Sequence, residues 1–388
     1  MPADTPRPRL TPARADIRRA VRESLAGLAP AGLAPAATPA AASAAPPPSA
    51  VASARNAGDS ADAPRESGVQ SAGEAGSPAF LAQPLVLVAL SGGADSLALA
   101  AATAFEAPRA GIRAGAIIVD HGLQRGSDAV AARAAEQARA LGLDPVLVSR
   151  VEVGSEGGPE AAARDARYGA ILAAVTDTGA RCALLAHTLD DQAETVLLGL
   201  ARGSGPGSLM GMEADAGLLR RPLLGIRRTE TRQACLDEGL EPWDDPHNLD
   251  PAYARVRVRE RVLPVLEAEL GPGVAEALAR TAALLREDGE AFTQQVVEIV
   301  EDICEPAEAG ISVSVPALAA NPAALRQRII RFVVSSEFGV SLSWAQTLEV
   351  ARLVTDWHGQ GAIDLPGLTA RREGRLLVFA SSAAVSAL

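Results

Sequence analysis

From Pro84 onward the chain alternates short apolar runs with longer amphipathic stretches. Residues 85–90, 114–119, 145–148 and 182–186 are apolar enough to be strands buried on both faces. Residues 96–105, 127–141, 159–178 and 190–202 between them carry the spacing of helices. This alternation predicts an α/β fold over 81–261: a parallel sheet with helices on both faces. Ligands in such sheets sit at the carboxyl ends of the strands. After Pro246 the strand pattern lapses. Residues 268–304 read as a long helix broken near Gly271-Pro272-Gly273, 326–338 and 344–358 as further helices, and 362–379 as short strands. A smaller, mainly helical C-terminal domain is therefore expected over 262–388.

Two segments precede the sheet. Within residues 1–28, Ile17, Val21, Leu25 and Leu28 recur at helical spacing, which predicts a short N-terminal amphipathic helix, docked on the core or formed only transiently. Residues 29–80 form an insertion dominated by Ala, Pro, Ser and Gly. Such a composition buries too little surface to offset chain entropy, and disorder is expected.

Composition narrows the chemistry. No stretch approaches the length of a membrane span, and the N-terminal residues lack the apolar core of a signal peptide, so a cytoplasmic location without membrane association is expected. Cys182, Cys235 and Cys304 are scattered, with no Cys-x-x-Cys pair to suggest zinc or disulfides. All 36 basic residues are arginine. A Schiff-base lysine and a lysine–phosphate clamp are thereby excluded, and phosphate binding falls to backbone amides, arginine and metal. The net charge of −11 argues against a general nucleic-acid coat. Two arginine clusters, 220, 221, 227, 228 and 232, then 255, 257, 259 and 261, are either solvated faces or local RNA contacts.

The first apolar run leads directly into Ser91-Gly92-Gly93-Ala94-Asp95-Ser96. A glycine turn feeding a helix N-terminus presents unpaired N–H groups to an anion such as a phosphate. Ser91 and Ser96 add hydroxyls, and Asp95 a carboxylate suited to Mg²⁺. A Walker loop would need a lysine here, and a dinucleotide fingerprint a third spaced glycine. The fourth apolar run leads into His187-Thr-Leu-Asp-Asp-Gln-Ala-Glu-Thr195. Thr188 and Asp191 match a capping box. Asp191 and Glu194 also share a helix face, with His187 one turn back. Carboxylates there can hold Mg²⁺ on a triphosphate, bind an ammonium group or take up its proton.

These motifs belong to an ordered series. It runs through Ser91–Ser96, Val119-Asp-His-Gly-Leu123, Glu160-x-x-x-Arg164-x-x-Arg167-Tyr168, His187–Thr195, Arg202-Gly-Ser-Gly with Leu209-x-Gly-Met212, Arg221-Pro-Leu-Leu224 and Asp245-x-x-Asn248, with Arg255 to Pro264 beyond. The first motif resembles the pyrophosphate loop of the ATP pyrophosphatase (PP-loop) superfamily, and the ordered set resembles the tRNA(Ile)-lysidine synthase family. Val256 stands where that family usually has Asn, and the 29–80 insertion has no counterpart in its pattern. The chain ends like the shorter members.

The resemblance implies an adenine nucleotide alpha hydrolase-like fold and a ligase. It would join free L-lysine to C2 of the wobble cytidine in the isoleucine tRNA with a CAU anticodon, converting ATP to AMP and diphosphate with Mg²⁺. Ser91, Gly92, Gly93, Ala94, Asp95 and Ser96 would bind ATP, with Arg164 and Arg202 as further phosphate contacts. Asp95 and Asp191 would hold the metal, and His187, Asp191 and Glu194 would bind or deprotonate lysine. Members of the family often form dimers, so a homodimer is an expectation. Arg326, Arg328, Arg331, Arg371, Arg372 and Arg375, with the 255–261 cluster, would meet the tRNA body. Two other readings stay open, a PP-loop tRNA thiolase and a non-catalytic nucleotide-binding protein.

Overall fold

The computed structural model describes residues 10–28, 83–122, 126–151, 154, 159–203, 205–307 and 310–382. The disorder expected over 29–80 lies outside these residues. The described residues fall into two compact units, one holding those within 10–203 and 211–280, the other those within 205–210 and 281–382.

The first unit is a six-stranded sheet in the order β3-β2-β1-β4-β6-β5. Its strands are β1 (Leu85–Ala89), β2 (Arg113–Asp120), β3 (Val146–Arg150), β4 (Cys182–Leu184), β5 (Asp215–Ala216) and β6 (Leu219–Arg220). All neighbours run parallel except the β5–β6 pair. The sheet grows from β1 first towards β3 and then, beyond β3, restarts on the other side of β1 with β4. The carboxyl ends of β1 and β4 therefore flank a topological switch point, where chains leave in diverging directions and open a crevice.

The apolar runs serve two cores at once. Val86, Val88 and Leu90 face one side, and Leu85 and Leu87 the other, because successive side chains of a strand alternate. Ile118 and Ile117 of β2, and Leu184 and Ala183 of β4, divide the same way. The first side is covered by α1 (Pro12–Leu25), α2 (Ala94–Glu106), α3 (Ser127–Ala140) and α6 (Arg228–Asp237), and the second by α4 (Pro159–Thr178). The N-terminal helix is docked: Ile17, Val21 and Leu25 are buried in the first core. Arg14 and Arg18 pair with Glu238 at 2.6 and 3.0 Å, and Arg22 pairs with Glu106. α5 (Leu189–Ala201) follows β4 and packs Leu189 and Ala193 against Leu263 of α7 (Leu263–Leu270) and Ala275 of α8 (Val274–Ile303).

The second unit holds more strand than its pattern predicts. Besides α9 (Ala323–Phe338) and α10 (Trp344–Thr355), it contains an antiparallel sheet ordered β7-β8-β11-β10-β9. β9 (Ile363–Leu365), β10 (Leu368–Glu373) and β11 (Leu376–Ser381) answer the expected short strands. β7 (Cys304–Ala307) and β8 (Gly310–Ser314) were not expected: β8 is fixed by pairing with β11, far along the chain, so local sequence says little about it. Among the described residues no helix is long and apolar enough to cross a membrane.

Candidate active site

The loop after β1 is built to receive an anion. Gly92 has φ +84°, a left-handed conformation that disfavours a side chain. Its carbonyl accepts the Trp243 N–H at 2.9 Å, which fixes the loop from the segment after α6. Gly93 is the N-cap of α2 and leaves the first turn without a side-chain cap. The Ser91 and Ser96 hydroxyls lie 3.1 Å apart, and Ser96 Oγ donates to the Gly93 carbonyl at 2.9 Å. Among the described residues the first-turn amides of α2 have no helical partner, and beside two hydroxyls they form an anion cradle at the positive end of a helix. Asp95 stands in that turn.

Across the switch point, α5 starts with the expected capping box. Asp191 Oδ2 accepts from the Thr188 N–H at 2.8 Å and from its hydroxyl at 2.9 Å. The other oxygen, Oδ1, takes Arg228 Nη2 at 2.9 Å. The capping and chemical readings of Asp191 are thus compatible, one oxygen for each. Asp190 accepts the Arg228 backbone N–H at 2.7 Å and pairs with Arg227 at 3.1 Å.

Glu194 is fully buried, and guanidinium groups occupy both its oxygens. Arg259 Nε donates to Oε1 at 2.7 Å and Nη2 to Oε2 at 3.1 Å, while Arg255 and Arg228 approach at 3.6 and 3.3 Å. Arg255 and Arg259 reach one carboxylate because residues four apart share a helical face, here where the helical turn Ala254–Arg257 runs into the π-helical turn Val258–Val262. The expectation that Glu194 meets lysine directly therefore faces an ion-paired carboxylate.

Asp95 joins the group from the opposite wall. Thr231 donates to its Oδ1, and Arg228 Nε lies 3.7 Å from its Oδ2. Burial holds the Asp95 carboxyl above its usual range, against the pull of Thr231 and Arg228, and nearby Asp191 pushes the same way as burial. Burial also opposes ionisation of Asp191, but Arg228 and the Thr188 amide outweigh it and hold that carboxyl below its usual range. Among the described residues no three acidic, His or Cys side chains form a metal cage. Two neighbouring carboxylates beside a phosphate cradle do suit Mg²⁺, which favours one or two carboxylates plus substrate phosphates.

His187 is the neutral member of the set. Burial, reinforced by Arg221, Arg167 and Arg164, lowers its pKa to about 3 despite the attraction of Asp191. Its buried Nδ1 makes no hydrogen bond among the described residues. Arg164 lies on the exposed side of α4, with Nη2 3.3 Å from the Tyr168 hydroxyl. Arg202 is not brought to the site. It is the exposed C-cap of α5, at the far end of a 13-residue helix that spans about 20 Å.

Sequence reasoning missed Arg228 and Thr231 of α6, Trp243, and the inward aim of Arg255 and Arg259. The arginine clusters divide between inside and outside. Arg228, Arg255 and Arg259 face carboxylates of the site, Arg227 pairs with Asp190 and Glu276, and Arg232 is exposed. The Arg-x-x-x-Arg spacing at 255 and 259 was the available signal for a shared helical face.

A strand-end cradle facing acidic residues across a switch point defines a class, and a family model described as a PP-loop domain matches residues 70–266. A second, described as the TilS substrate binding domain, matches residues 314–377. The tRNA(Ile)-lysidine synthase of Leifsonia xyli subsp. xyli is 66% identical over 76% of this chain and 89% of its own length. The enzymes of that name from Streptomyces coelicolor and Thermobifida fusca are 53% and 48% identical, over 87% and 92% of their lengths and 78% and 76% of this chain. The chain belongs to the tRNA(Ile)-lysidine synthase family. A solved structure, the U34-tRNA thiolase NcsA from Methanococcus maripaludis with its [4Fe-4S] cluster, is 18% identical over 53% of this chain and 73% of that one, with a TM-score of 0.44.

Proposed function

We infer that this protein ligates L-lysine to C2 of the wobble cytidine in the CAU-anticodon isoleucine tRNA, consuming ATP and releasing AMP and diphosphate. The observation that carries this reading is the meeting of the Ser91–Ser96 cradle with Asp191 and Glu194 through one guanidinium, Arg228. In the first step the cytidine O2 attacks the α-phosphate of ATP. The bond to the β-phosphate breaks, and diphosphate leaves into the amides of the first turn of α2, where charge develops. In the second step the lysine ε-amine attacks C2 and AMP departs with the oxygen. The ε-ammonium must lose a proton before it attacks. His187, neutral and with no partner for its Nδ1 among the described residues, is too weak a base at a pKa of about 3 to take that proton and suits instead accepting a hydrogen bond that orients the amine.

Asp95 and Asp191 are the residues that would hold Mg²⁺, which supplies positive charge to the triphosphate. Asp191 also offers a negative partner to the lysine ammonium, and Glu194 acts on that site through Arg255 and Arg259. Arg164 suits a phosphate at the mouth of the site, and Arg202, at the distant end of α5, is left out. The setting is the cytoplasm, where tRNA and ATP meet, and a homodimer is the proposed assembly.

The thiolase alternative fits poorly. Cys182 and Cys235 are buried and Cys304 is half-buried, and burial raises the three thiols to about 11, 12 and 11. A sulfur carrier needs an accessible thiolate. Diphosphate release measured with and without tRNA and lysine tests the reading. Release that requires tRNA, with lysidine appearing only when lysine is present, is expected. Release without tRNA, or a product lacking lysine, would overturn it.

A further inference from the structure

We propose that Arg228 is a positioning residue that couples the two half-reactions by tying the loop carboxylate to the α5 carboxylates. This inference rests on the function proposed above.

The guanidinium of Arg228 spans three carboxylates: Nε lies 3.7 Å from Asp95, Nη2 lies 2.9 Å from Asp191, and both Nη1 and Nη2 lie 3.3 Å from Glu194. These acids come from the two helices that leave opposite sides of the switch point. No other described side chain is ion-paired with all three; Arg259 reaches Asp191 and Glu194, and Arg255 reaches Glu194. A planar fork with fixed donor directions can set such spacing, whereas an ammonium cannot.

Arg228 is itself held at both ends. Its backbone N–H donates to Asp190, and Arg227 before it is capped by the Glu230 carboxylate on its N–H at 2.8 Å. One turn along α6, Thr231 hydrogen-bonds the remaining oxygen of Asp95. The first turn of α6 thus grips both oxygens of Asp95, but only Arg228 extends to α5. Without it, Asp95, Asp191 and Glu194 would repel one another with two arginines left to hold them. The cradle and the lysine side of the site would then lose their common reference. Misplacement by about 1 Å lowers rates about 10²-fold.

The test measures both half-reactions, tRNA-dependent diphosphate release and lysine transfer, in Arg228→Ala, Arg228→Lys, Thr231→Val and an exposed control, Gln233→Ala. Arg228→Ala is expected to lose about 10²-fold in kcat of both steps with a smaller change in KM. Millimolar guanidinium should restore part of this loss, and Arg228→Lys only a fraction. Thr231→Val should slow the first step alone, and the control neither. A residue with only a structural role would instead lower Tm in proportion to activity and show no rescue. That outcome, or an Arg228→Ala enzyme within about threefold of wild type, would overturn the proposal while the wild-type reaction stands. A wild type that makes no lysidine in the same assay would overturn the functional reading and this inference together.

Discussion

At the scale of single residues, Glu194, read from sequence as a lysine partner, is the most deeply buried of the three site carboxylates. Glu194 is buried under three arginines, and a buried pair broken from one side leaves uncompensated charge costing about 3–5 kcal/mol. Glu194→Gln is therefore expected to lower Tm by roughly 6 °C or more as well as to slow lysine transfer. Calorimetry checks this, and an unchanged Tm would mean the arginines find other partners. His187 supplies a pH dependence. Its pKa is about 3 in the fold against an ordinary 6.5, so the unfolded chain binds the proton more tightly. Its contribution to stability is present above pH 6.5 and is lost as pH falls from there towards 3. Asp191, also held below its usual value, acts in the same direction. Denaturation midpoints of His187→Gln should fall less steeply than wild type between about pH 6.5 and 4; parallel slopes would exclude the histidine.

Among the elements, α1 shows how a short amphipathic segment becomes fixed. Leu25 is fully buried against the core, and removing its side chain should cost about 2–5 kcal/mol. Leu25→Ala is expected to show that loss in urea denaturation with little change in the KM for ATP; a loss below about 1 kcal/mol would mean that the Arg14, Arg18 and Arg22 ion pairs hold the helix alone. The sheet strands and the helices between them were legible because their hydrophobic period is local. Ser91–Ser96 and the Thr188/Asp191 cap were legible for the same reason. Arg228, Thr231 and β8 were not, since each is defined by a partner distant in sequence: Asp95 and Glu194 for α6, and β11 for β8. Arg255, Arg259 and Leu263 recur every four residues and so share one helical stripe, but that this stripe meets Glu194, Leu189 and Ala193 is set by partners far off in sequence.

For the whole molecule, the inward arginines change the accounting of charge. With a net charge of −11 and Arg228, Arg255 and Arg259 committed to carboxylates, tRNA phosphates fall to guanidinium groups elsewhere. Arg375 is exposed, Arg371 pairs with Glu373 at the surface, and Arg372 lies over the Trp357 ring. Such contacts release counterions, so tRNA affinity should fall by about 10³ between roughly 50 and 200 mM salt if about six phosphates are neutralised. Filter binding across that range is the check, and a flat profile would remove electrostatics from tRNA capture. The arginine-only wall has one more consequence, in terms of self-damage. The adenylated cytidine is an electrophile waiting for a primary amine. A lysine lining the site in place of Arg228, Arg255 or Arg259 would be a tethered competitor at high effective concentration, able to bind the enzyme covalently to its own substrate. Guanidinium groups stay protonated at any working pH and do not attack. With no lysine in the chain, the amine that reaches the activated base cannot come from an enzyme side chain, and the nucleophile offered is the free amino acid.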